Sequence, residues 1–154
     1  MRIVTALRPL RLLCIETAPY IYFVEKQPIY GPKMRAVFEQ VEIQGIEVVS
    51  SVLTLTEVLV KPLRESDTQL ELNYRELLTT TDLIHLLPVS VPIANRAADL
   101  RARYNLKTPD AVHIATAIEH GSDAFLTNDK ALARITEVRV IVLDDLELDN
   151  PAND

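Results

Sequence analysis

With one cysteine, the chain cannot build a disulfide framework, and three glycines in 154 residues leave little from which to build a flexible linker. The lone thiol, Cys14, sits inside an apolar run and reads as packing rather than redox chemistry, which fits a cytoplasmic setting. The nine prolines are scattered singly, and neither a repeat nor a Ser/Gly-rich stretch interrupts the sequence. No apolar run reaches the roughly 18 to 20 residues of a membrane helix. Arg2, Arg8 and Arg11 break up the start of the chain, and no small-residue cleavage site follows, so no signal peptide is expected. Positive charge is short as well: 16 Lys and Arg against 22 Asp and Glu give a net charge of −6 and a pI near 5.1. That balance argues against a basic surface clamping nucleic acid. It leaves open a carboxylate cluster loaded with divalent cations, which becomes locally positive and can receive a phosphate.

What is present is apolar and periodic. A 17.3 kDa chain with 48% hydrophobic residues can bury one continuous core. The run 12–15 predicts a buried strand, followed by a helix capped at Glu16-Thr17 with Pro19 in its first turn. Met34, Val37, Phe38 and Val41 recur at helical spacing between Gly31-Pro32 and Gly45, and 46–49 is a second strand. Ser50 or Ser51 caps a helix carrying Thr56 and Glu57 that is expected to stop near Lys61-Pro62. After a Ser66-Asp67 cap, Leu70, Tyr74, Leu77 and Leu78 mark another helix, and 83–87 a third strand. Pro92 begins a helix with Ile93, Ala97, Leu100 and Tyr104 on its inner face. Thr108-Pro109-Asp110 begins the next, with Thr108 as its cap and Ala111, Ile114, Ala115 and Ile118 buried. Strands follow at 124–126 and 138–143, with a short helix between them. Strands alternating with helices predict a three-layer α/β/α fold around a mostly parallel sheet of about four to five strands. The domain is expected over 11–146, with 1–10 as an N-terminal extension and 147–154 as a C-terminal tail, loose from Asn150 onward.

In a parallel sheet the ligand crevice lies beyond the carboxyl ends of the strands, and four acids are directed there. Glu16 and Asp129 follow strand ends; Glu57 and Asp110 lie on helices that begin at that edge. Each has an ordinary explanation: the helix dipole for Glu16 and Asp110, an i,i+4 ion pair with Lys61 for Glu57, a turn or cap for Asp129. Together they point to one site, because clustered carboxylates repel unless their pKa values rise or a cation binds. Oxygen donors without a cysteine and histidine set suit Mg²⁺ or Mn²⁺. Thr17, Thr56, Thr127 and Asn128 neighbour these acids and can orient water or carboxylates, with capping as the plain alternative for Thr17 and Asn128. His85, His113 and His120 read as core or surface histidines, although His113 stands one turn beyond Asp110. Arg96, Arg101, Arg103, Lys107 and Lys130 form either a phosphate-steering rim or solvated helix faces. Tyr20, Tyr22 and Phe23 serve either dimerisation or core packing.

Three segments carry a family resemblance: LCIETAPYIYFVE at 13–25, SVLTLTEVLVKP at 51–62, and LKTPDAVHIATA at 106–117 with FLTNDKAL at 125–132. In order and spacing, over about 11–143, they resemble the PIN-domain family, and within it the VapC-type toxin ribonucleases. The resemblance implies a PIN-like parallel sheet, endoribonuclease activity dependent on Mg²⁺ or Mn²⁺, and pairing with a small VapB-like antitoxin; a homodimer is also expected. Glu57, Asp110 and Asp129 match the family's metal-site acids, and Thr127 and Asn128 the polar residues beside the last of them. Glu16 departs: it stands where the family nearly always has Asp, and the added methylene displaces the carboxylate by about 1.5 Å. Two other readings compete with the nuclease. One is a catalytically degenerate PIN-like module that binds RNA or protein. The other is a phosphoryl-accepting receiver-like domain, disfavoured because no paired acids follow the first strand.

Overall fold

The computed structural model describes residues 1–149. Among the described residues, seven α-helices and five strands follow in the order α1 (Ile3–Leu7), β1 (Leu12–Ile15), α2 (Thr17–Val24), α3 (Tyr30–Gln44), β2 (Glu47–Ser51), α4 (Leu53–Glu65), α5 (Thr68–Arg75), β3 (Ile84–Leu87), α6 (Val91–Tyr104), α7 (Thr108–Glu119), β4 (Ala124–Thr127) and β5 (Val140–Val142). Every strand pairing is parallel, and the sheet order is β3-β2-β1-β4-β5. The expected α/β three-layer architecture is therefore present, with an all-parallel sheet of five strands.

Alternation along the strands feeds two cores. Leu13 and Ile15 of β1, Val48 of β2 and Ala124 and Leu126 of β4 face one layer, where Ile3, Leu7, Tyr20, Met34, Val37, Val58 and Tyr74 meet them. Cys14, Val49 and Phe125 face the other, against Ile93, Ala97 and Leu100 of α6 and Ala111, Ile114 and Ala115 of α7. A parallel sheet covered on both sides must be apolar on both, which is why these strands read as continuous apolar runs. Burial first, and the Glu16 charge second, hold the Cys14 thiol well above its usual range, so it is an inert packing group.

Several local expectations change. The N-terminal extension 1–10 is packed against the rest of the chain: Ile3 and Leu7 of α1 are fully buried, Ile3 N–H donates to Glu147 C=O at 3.0 Å, and Val4 N–H to Asp149 Oδ2 at 3.0 Å. The last described residues of the expected C-terminal tail are thus tied to α1, while 150–154 lie outside the described residues. Leu7→Ala should cost about 2–5 kcal/mol, read as a lowered denaturant midpoint; an unchanged midpoint would show that α1 contributes nothing to the core. The helix carrying Glu57 runs through buried Pro62 to Glu65 and ends at Ser66, whose φ of 52° is left-handed. Burial of the Pro62 ring offsets the one backbone bond its missing N–H forfeits. Helix α7 begins at Thr108 itself, without a side-chain cap. Helix α5 gives way after Arg75 to a wider turn, Glu76–Thr80, where Thr80 and Thr81 hydroxyls bond back to carbonyls four residues earlier. Tyr20 belongs to the core, its hydroxyl 2.6 Å from Ser50 Oγ. Gly45 closes α3 at φ 66°, the left-handed cap its sequence position predicts.

Candidate active site

The chain winds outward from β1 to β2 and β3, then returns to the other side of β1 for β4 and β5. The reversal separates the ends of β1 and β4, and such a switch point is where open parallel sheets hold ligands. Glu16 leaves β1 there and Asn128-Asp129 leave β4. A cleft of about 410 Å³ opens at this point, lined by Glu16, Thr17, Ala18, Ile21, Tyr22, Glu57, Asn128 and Asp129.

Register sets the first contact. Ile15 pairs with Leu126, and Glu16 N–H donates to Leu126 C=O at 3.0 Å, so Glu16 emerges beside Thr127. The Thr127 hydroxyl donates to Glu16 Oε2 and accepts the Asp129 N–H at 3.0 Å. Burial first pushes the Glu16 carboxyl up; the Thr127 hydrogen bond and His113 oppose this, and the charges of Asp110 and Asp129 add to it. Asp110, in the first turn of α7, is raised by burial and then by Asp129, with Glu57 adding and His113 opposing. Asp110 therefore feels the charges of Asp129 and Glu57, and Glu16 those of Asp110 and Asp129, although Asp110 does not line the cleft wall. Asp129 caps the turn that follows it, accepting Ala131 N–H at 2.9 Å.

Glu57 meets a partner the sequence reading passed over. His113, only 2% exposed, places Nε2 at 2.5 Å from Glu57 Oε1, and the Thr17 hydroxyl donates to the same oxygen at 3.0 Å. A hydrogen on Nε2 satisfies that contact, while buried Nδ1 has no partner among the described residues. The hydrogen bond from His113 is the largest influence on Glu57 and, against burial, holds its carboxyl below the usual range. Glu57 consequently binds fewer protons folded than unfolded. Its contribution is present above the ordinary Glu value of about 4.3 and is lost as pH falls through the lower folded value. In His113→Leu the melting temperature should fall less between about pH 5 and 3 than in the wild type; parallel profiles would mean the contact does not shape Glu57.

Thr56 is exposed, and Thr54 takes the place expected of it: fully buried, its hydroxyl lies 3.1 Å from Thr17 Oγ1. Residues three apart share a helix face and adjacent ones do not, so Thr54 rather than Thr56 stands with Glu57. The basic residues are largely occupied. Arg96 pairs with Glu119, Arg103 with Asp99 and Glu137, and Lys130 with Asp144. The expected Glu57–Lys61 pair is absent among the described ion pairs; Lys61 joins Glu25 instead.

The donor set suits a hard cation in kind and charge: oxygen ligands only, two of them, Glu16 and Asp110, driven toward protonation by burial and by neighbouring acids. Among the described residues, however, no three His, Cys, Asp or Glu side chains are grouped so as to hold a metal ion. The hydrogen bonds explain why, since Glu16, Glu57 and Asp129 are each turned to a protein donor. No described helix is long and apolar enough to cross a membrane.

Known proteins share this architecture. A toxin–antitoxin complex from Klebsiella pneumoniae contains a chain with TM-score 0.67 and 25% identity, the match covering 85% of this chain and 97% of that one. VapBC2 from Rickettsia felis, bound to a DNA fragment from its promoter, gives TM-score 0.72 at 14% identity over 85% and 98%. VapC20 from Mycobacterium tuberculosis, described as a sarcin–ricin loop cleaving toxin, gives 0.63 at 14% over 82% and 98%. No curated protein matches significantly. The last two likenesses speak for the fold alone. A five-stranded parallel sheet with acids at its switch point, together with a PIN domain model matching residues 14–138, means that this chain belongs to the PIN-domain family.

Proposed function

We propose that the chain is a metal-dependent endoribonuclease, acting as the toxin of a type II toxin–antitoxin pair. The observation that carries this is the gathering of acids from four separate segments at the switch point: Glu16, Glu57 and Asp129 line one cleft, and burial and neighbouring acids push the carboxyls of Glu16 and Asp110 toward the neutral form. Mg²⁺ or Mn²⁺ would relieve that repulsion, and these acids would hold it; bound there, it would polarise a phosphate and activate water. The chain's own part is orientation. Thr127 fixes Glu16, while Thr17 and His113 fix Glu57. Asp129 stands at the exposed rim of the cleft, where an attacking water would enter.

The partners on this reading are RNA, a small VapB-like antitoxin and a second copy of the chain. The Klebsiella and Rickettsia relatives are toxin–antitoxin complexes, which supports the antitoxin. An antitoxin Arg or Lys entering the cleft would compensate the same acids.

The test is cleavage of structured and unstructured RNA by the purified chain with Mn²⁺, then with chelator. Cleavage that chelator stops is expected. RNA binding without cleavage would favour the degenerate binding module, which the Glu16 departure and the dispersed carboxylates would then explain.

A further inference from the structure

One cleft residue has no part in the chemistry above. Tyr22 lines the acidic cleft, half-buried, and its ring lies against that of Tyr30 with centroids 4.8 Å apart and planes at 33°. The pair is framed by hydrogen bonds from separate parts of the chain. Asn128 Nδ2 donates to Tyr22 Oη at 3.3 Å, Asp144 N–H donates to Asn128 Oδ1 at 2.9 Å, and Tyr30 Oη donates to Asp144 Oδ1 at 3.0 Å. Gly31 permits the approach: a Cβ there would stand 3.2 Å from the Tyr22 carbonyl oxygen and 3.3 Å from the Lys26 carbonyl carbon. Lys33 lies 5.8 Å from the Tyr30 ring centroid.

We propose that Tyr22 and Tyr30 form a stacking platform for an unpaired base of single-stranded RNA whose backbone enters the acidic cleft. The inference rests on the nuclease reading and names the form of substrate it takes. The chain carries net charge −6. Two cations near the cleft are already engaged, Lys130 with Asp144 and Asp145, and Lys33 with the carbonyls of Leu143 and Asp144. Backbone clamping by lysines, the usual source of affinity, is therefore weak here. Stacking on an aromatic face supplies affinity without charge and tolerates any base. It requires a base whose face is free, which a duplex does not offer. Tyr22 also shares Asn128 with the turn that carries Asp129, so the platform and the acids keep a constant separation.

The experiment uses the full chain and a short single-stranded oligoribonucleotide containing 2-aminopurine, in Ca²⁺ buffer, with the matching duplex as comparison. Quenching of the 2-aminopurine reports stacking directly and needs no cleavage. Wild type and Tyr22→Phe should bind the single strand and quench it. Tyr22→Leu, which keeps apolar bulk without the aromatic face, should bind about 10-fold more weakly with little quenching. In Mg²⁺ or Mn²⁺ it should raise KM by a similar factor and leave kcat nearly unchanged. Tyr30→Leu should act in the same direction and replaces Tyr22→Leu if the latter fails to fold.

Equal binding and quenching by Tyr22→Leu, or duplex bound as well as single strand, would overturn the platform. Cleavage with KM untouched in that variant would overturn it while the nuclease stands. Quenching in wild type, lost in Tyr22→Leu, without cleavage under any metal would uphold the platform and remove the nuclease. A failure to bind either RNA would end both.

Discussion

Asp110→Asn is expected to lower metal-dependent RNA cleavage by at least about 100-fold while leaving the fold intact. The two halves follow from one feature. Asp110 sits half-buried in the first turn of α7, its carboxyl raised by burial and by the Asp129 charge. Asparagine has nearly the same shape, so α7 keeps its start and its buried stripe of Ala111, Ile114 and Ala115. Losing the charge removes repulsion among the acids, so stability without metal should hold or rise slightly. What disappears is a negative oxygen, which a neutral amide replaces poorly toward Mg²⁺ or Mn²⁺. Circular dichroism and melting establish the fold, and a labelled RNA reports cleavage. Unchanged cleavage would remove Asp110, and with it the four-acid site.

Glu16 yields the second large effect, with opposite signs for stability and activity. Its carboxyl is pushed up mainly by burial, so between the ordinary Glu value and the higher folded value the native chain binds more protons than the unfolded one. Stability falls as pH rises through that window, and the cost is fully present above the folded value. Glu16→Gln keeps an oxygen to accept from Thr127 and abolishes the charge. In chelator it should stabilise the protein, read as a raised Tm. The same variant should lose most of the Tm increase that Mg²⁺ or Mn²⁺ gives the wild type, along with cleavage. Glu16→Asp tests the departure from the family pattern. It retracts the carboxylate by about 1.5 Å and should shift both the metal concentration for half-maximal cleavage and the Mg²⁺/Mn²⁺ preference. If neither moves, Glu16 is not a ligand. A metal-free Tm unchanged in Glu16→Gln would show that burial of this charge costs nothing.

Leu13, Cys14 and Ile15 read as a buried parallel strand because both their faces are covered, a property each residue carries in its own side chain. The buried stripe of α7 and the left-handed stop at Gly45 were legible for the same reason. Helix α1 was not: five residues with arginines on either side have too little periodicity to announce a core position, and the segment gains its burial only from what folds over it. Thr54 and His113 were hidden differently. Their local signal is that of any buried threonine or helix histidine, and only the partner across the gap gives them a place beside Glu57.

The sequence by itself determined the alternation of strands and helices, the apolar faces that close the sheet from both sides, and the scarcity of cations that leaves the acids unneutralised. The tertiary structure alone decided which polar groups hold which carboxylate. The bonds concerned span 40 residues from Thr17 to Glu57, 56 from Glu57 to His113 and 111 from Glu16 to Thr127. Periodicity reports the face a side chain presents, since that repeats every turn or every second residue. It carries no record of what stands opposite, because that is fixed by the order in which strands join the sheet.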